Sequence, residues 1–95
     1  MSTVVRGVSA PFQVHGDVVL HFACGNRVNR ESGVWATITE LSQPVGEPLD
    51  FAFVGMARMT IHNIAPRDDG IVDMWLQVEW DHPLNVRVQL LICND

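Results

Sequence analysis

Apolar and polar positions alternate with a period of two along most of the chain, the signature of strands whose successive side chains point to opposite faces. The pattern is clearest near the C-terminus. There Val72, Met74, Leu76 and Val78, then Val86, Val88, Leu90 and Ile92, alternate with Asp73, Trp75, Gln77 and Glu79, then Arg87, Gln89 and Leu91. Strands are expected at 3–8, 17–24, 34–41, 49–54, 57–64, 71–80 and 86–93. Between them Pro, Gly, Asn and Asp concentrate in APFQVHGD, GNRVNRESG, SQPVGEP, APRDDG and DHPLN. Only Gly55 separates the fourth and fifth segments, so these also read as one bent or bulged strand. No stretch of ten residues carries helical spacing.

Parity within the C-terminal strands is strongly determined. Shifting the first of them by one residue would bury Asp73, Gln77 and Glu79, and one unpaired buried carboxylate costs several kcal/mol, against roughly 1.5–3 kcal/mol gained per apolar side chain buried. Treated as a hairpin about DHPLN, the last two strands set Trp80 against Val86, Val78 against Val88, Leu76 against Leu90 and Met74 against Ile92. The hairpin about APRDDG has two registers that preserve its faces. One sets Ile61 against Met74, Met59 against Leu76 and Ala57 against Val78, with His62 meeting Asp73; the other puts Arg58 opposite Glu79. The expected fold is all-β, a compact antiparallel β-sandwich of about seven strands with a C-terminal three-stranded meander. Residues 3–54 supply the opposing sheet through Val18, Leu20, Phe22, Ile38, Phe51 and Phe53.

With 95 residues the chain has room for a single domain, 1–95, and one core. Charged residues make up 18% against a usual figure of about 25%, while 47% are hydrophobic, a balance that suggests some surface is covered by a partner. The net charge is −5, and all six basic residues are scattered arginines. That distribution disfavours nucleic acid, which needs a clustered positive field. The N-terminal stretch lacks the apolar run of an export signal and no segment is long enough for a membrane span, so a soluble, cytoplasmic protein is expected, with Cys24 and Cys93 as reduced thiols.

The outer face of the expected meander is the first candidate site. It presents Arg58, Thr60, His62, Asp73, Trp75, Gln77, Glu79, Arg87 and Gln89, together with Leu91 and Cys93. A Trp, a Leu and arginines among a few polar groups match the composition of an interface centre and its rim better than that of a solvated sheet. The expected function is therefore a small non-catalytic module that self-associates or binds a protein partner around Trp75. A two-fold homodimer is the simplest form.

Other chemistry is less well supported. The four histidines, His15, His21, His62 and His82, show no H-x-H, H-x-x-x-H or H-E-x-x-H spacing, so no metal is expected. No glycine loop leads from a strand into a helix, so no nucleotide cofactor is expected either. A His62 and Asp73 pair could serve a small β-fold enzyme as base and orienting acid, but no Ser or Cys stands within reach as a nucleophile.

A second binding site is suggested by VVLHFACGNRVNRESGVW, which resembles the sugar-binding stretch of galectins through His21, Asn26, Arg27, Asn29 and Trp35. The resemblance implies a carbohydrate or small polar ligand stacked on Trp35. The spacing departs from that family, since four residues separate His21 from Asn26 and the next Glu after Trp35 is Glu40. Arg30 joins the same loop as a ligand candidate. Trp35 itself could equally belong to the core, because either face of VWATITEL could be internal.

Overall fold

Eight strands follow in chain order: β1 (Thr3–Val8), β2 (Phe12–Val14), β3 (Gly16–Ala23), β4 (Gly33–Ser42), β5 (Phe51–Phe53), β6 (Arg58–Pro66), β7 (Ile71–Glu79) and β8 (Leu84–Asn94). A single 3-10 turn, Gly25–Arg27, sits between β3 and β4. The computed structural model describes residues 3–42 and 51–94, apart from the side chains of Phe51 and Phe53. The expected start of the fourth strand at 49–50, and the packing of those two phenylalanines, lie outside the described residues.

The strands form two antiparallel sheets packed as a sandwich. One has the order β1-β8-β4-β5, with β2 also pairing with β8; the other has the order β3-β7-β6. The chain passes from β2 in the first sheet to β3 in the second at Gly16, whose φ of 73° is a backbone conformation that side chains with a Cβ rarely adopt. A second special glycine closes the β6-β7 hairpin. Gly70 has φ 85°, and a Cβ there would lie 2.5 Å from the Gly25 carbonyl oxygen. That close approach lets the Gly70 carbonyl accept a 2.7 Å hydrogen bond from the Cys24 amide, tying the hairpin turn to the loop after β3.

The parity read from the sequence holds across β7 and β8. Val72, Met74, Leu76 and Val78 of β7 are fully buried, and Val86, Val88, Leu90 and Ile92 of β8 are at most 5% exposed. All eight belong to one cluster with Val14 and Val28. Val18, Leu20, Phe22 and Ile38 pack against it as expected, although β3, which carries the first three, lies beside β7 rather than opposite it.

The pairing expected between the last two strands does not form. Strand β7 takes β3 and β6 as neighbours, while β8 takes β1, β2 and β4 in the other sheet. The physical reason is that alternation fixes which face of a strand is buried, not which strand lies beside it. Two apolar faces are buried equally well side by side or across the interior, and the turn containing Pro83 carries the chain across. Trp80 is the casualty of the hairpin expectation. Strand β7 ends at Glu79, and Trp80 is 40% exposed in the crossing turn, its indole N–H donating to His82 Nε2 at 3.3 Å.

The β6-β7 hairpin adopts the second of the two registers. Arg58 stands opposite Glu79 and Ile61 opposite Leu76, after which a bulge at His62 shifts the pairing so that Asn63 faces Trp75 and Pro66 faces Val72. The extra residue lets Ile61 and Ile64 both turn toward the core while His62 and Asn63 remain outside.

Candidate functional site

Placing β7 and β8 in opposite sheets divides the expected contact face in two. Arg58, Thr60, His62, Asp73, Trp75, Gln77 and Glu79 lie on the outer side of the three-stranded sheet, whereas Arg87 and Gln89, with Leu91 and Cys93, lie on the outer side of the five-stranded sheet. The single face around Trp75 is therefore corrected to two faces looking in opposite directions.

On the three-stranded sheet, Trp75 occupies the middle strand with Val19 and Asn63 as registered neighbours. The His62 ring stacks on it with centroids 4.3 Å apart and 29° between planes, and His62 Nε2 lies 2.9 Å from Gln77 Oε1. The Trp75 indole N–H donates to Asp17 at 3.4 Å. Asp73 is contacted by His21 Nδ1 at 2.5 Å and by Arg67 at 3.3 Å. These contacts hold its carboxyl below the usual aspartate range, the His21 hydrogen bond contributing most. Arg67 also pairs with Asp69, which is lowered in turn, chiefly by that hydrogen bond. The proposed base and acid, His62 and Asp73, are thus not brought together. The bulge turns His62 onto Trp75, and Asp73 takes His21 and Arg67 instead.

The outer side of the five-stranded sheet has a different character. Successive rows across β1, β8 and β4 read Val4, Cys93, Gly33; then Arg6, Leu91, Trp35; then Val8, Gln89, Thr37; and Arg87 stands beside Thr39. Val4 is 62% exposed, Trp35 59%, Val8 49% and Leu91 43%. The Arg6 guanidinium donates twice to Gln89 Oε1, at 3.1 and 2.8 Å. Trp35 lies outside, not in the core, because Val34, Ala36 and Ile38 take the inward parity of β4. Its ring folds back over Gly33, where an added Cβ would sit 3.3 Å from two of its carbons. The contribution of β1 to this face was missed. TVVRGV alternates, yet only its pairing with β8 brings Val4, Arg6 and Val8 beside Leu91.

The second expected ligand set is also divided. His21 is on the outer side of the three-stranded sheet and Trp35 on that of the five-stranded sheet. The backbone carbonyl of Arg27 accepts from the Asn94 amide at 2.7 Å, and the Arg30 backbone N–H donates to Asp68 at 2.9 Å. Asn26 lies in the exposed 3-10 turn. Asn29 alone stays with Trp35, in a concavity of about 270 Å³ that Glu31, Gly33, Cys93 and Asn94 also line. Buried Ser32 braces its floor, accepting from the Asn29 backbone N–H at 2.9 Å and donating to Asn94. Glu31 and Asn94 were not foreseen, since Asn94 reaches the loop only through the β4-β8 pairing.

Among the described residues no group of His, Cys, Asp and Glu is arranged to hold a metal ion. Cys24 and Cys93 are free thiols, and burial pushes the Cys24 thiol up, with Arg27 partly opposing. No described helix is long and apolar enough to cross a membrane. No protein-family model, characterised protein or solved structure matches the chain.

Proposed function

We propose that this chain is a small non-catalytic binding and assembly module whose contact surface is the outer face of the five-stranded sheet. The observation that carries the reading is the grouping of Val4, Val8, Trp35 and Leu91, each more than two-fifths exposed, on three adjacent hydrogen-bonded strands. Full burial of one such side chain contributes about 1.5–3 kcal/mol, so covering the exposed parts of four offsets part of the several kcal/mol that association costs. Arg6, Gln89 and Arg87 supply the polar groups of a rim. The Trp75 face is a weaker candidate, because its aromatic ring and many of its polar groups already satisfy one another.

Nuclear magnetic resonance titration of the protein against itself tests this reading. Increasing concentration should broaden or shift the amides of Val4, Arg6, Val8, Trp35 and Leu91. Perturbation confined to residues 58–79, or no change at all, would contradict it.

A second reading, a carbohydrate or small polar ligand, is favoured by one feature. The Trp35 ring laid over Gly33 forms an exposed aromatic platform, and Asn29 and Glu31 beside it present an amide and a carboxylate to which ligand hydroxyls could bond.

A further inference from the structure

Resting on the assembly reading, we infer that the five-stranded face of one copy docks on the three-stranded face of a second copy, a head-to-tail contact rather than a two-fold one. Charge is the first argument. The outward positions of β1, β4 and β8 carry Arg6 and Arg87 and no carboxylate, with Glu31 only at the rim beside Trp35. The outward positions of β3, β7 and β6 carry Asp17, Asp73 and Glu79 against Arg58, with Arg67 just past β6 bound to Asp69 and Asp73, so carboxylates outnumber guanidinium groups there; Asp17 and Glu79 form no ion pair among the described residues. A two-fold pairing of the five-stranded face would join two surfaces of like sign. Placing it against the other face sets opposite signs together and steers the encounter.

Spacing is the second argument. Arg6 pairs with Leu91, so it lies one strand across and four residues along from Arg87. Asp17 pairs with Gln77, so it lies one strand across and four residues along from Asp73, whose carboxylate is already shared by His21 and Arg67. Both diagonals span roughly 14 Å on standard strand geometry. Each face also brings exposed apolar area to its centre, Trp35 and Leu91 on one and Trp75 and Val19 on the other. A contact of this kind leaves one complementary face free at each end, so it extends into a stack unless the rotation closes a ring.

Two variants, each blocking one face, separate the possibilities by sedimentation velocity, with circular dichroism confirming the fold. Leu91→Glu blocks the five-stranded face and Trp75→Glu the three-stranded face. Val4→Glu and Val19→Glu serve as a second pair should either fail to fold. Each variant alone should sediment as a monomer of 10.6 kDa. An equimolar mixture should form a discrete 1:1 pair of twice that mass, because each partner keeps the face the other lacks. If Trp75→Glu associates as the wild type does while Leu91→Glu does not, the head-to-tail contact is overturned and the assembly reading survives. Two variants that remain monomers when mixed also overturn it. A wild type that stays monomeric at every concentration overturns both.

Discussion

Asp73 shows how a residue's neighbours depend on features invisible in its immediate sequence. One of the two registers left open set its carboxylate against His62, yet it bonds to His21 from β3 and to Arg67 just after β6. Its pKa is depressed in the fold, so it favours the folded state at pH values above the unfolded aspartate value of about 3.9, and this contribution disappears as pH falls through the lower folded value. Thermal unfolding measured from pH 6 to pH 2 should therefore show a steeper acid loss for wild type than for Asp73→Asn. The variant should retain a residual slope, because Asp69 is lowered in the same direction. Equal slopes for the two proteins would remove the His21 and Arg67 contacts from the account. The effect should be small, since these groups are exposed to solvent and screened.

At the scale of the strand, parity was legible and partnership was not. Alternation in residues 71–80 and 86–93 identified the eight side chains that build the centre of the core, because burying Glu79 or Arg87 in place of Val78 or Val88 is too costly. The same alternation is satisfied whether β8 lies beside β7 or across from it, so the choice rests on the connection and on the other strands that need neighbours. The single residue inserted at His62 was likewise hidden, because IHNIAP keeps an apolar residue available on either side of the slip. Seven residues of the expected Trp75 face therefore share the outer side of the three-stranded sheet, whereas Arg87 and Gln89 lie on the other side of the molecule. Nuclear Overhauser contacts check the pairing directly. The Leu91 backbone should give cross-strand contacts to both Arg6 and Trp35, and the Val88 backbone should give them to Ile38. Backbone contacts between Val78 and Val88 would restore the hairpin and reunite the two faces.

Viewed as a whole, the molecule is a thin sandwich with one fully committed interior and two unlike exteriors. The three-stranded exterior is partly satisfied from within, its Trp75 stacked on His62 and its Asp73 held by His21 and Arg67. The five-stranded exterior leaves a tryptophan, two valines and a leucine in solvent around a short arginine and glutamine network. A 95-residue domain buries a modest share of its surface on folding, so covering this exterior adds stability that the single core cannot supply. The low share of charged residues in the composition has its structural counterpart there. The most direct test is the solution mass of wild type and Leu91→Glu measured by sedimentation across a wide concentration range. The wild type should rise above 10.6 kDa with concentration while Leu91→Glu remains at that value; two proteins that both stay monomeric, or associate equally, would contradict the assignment of this face.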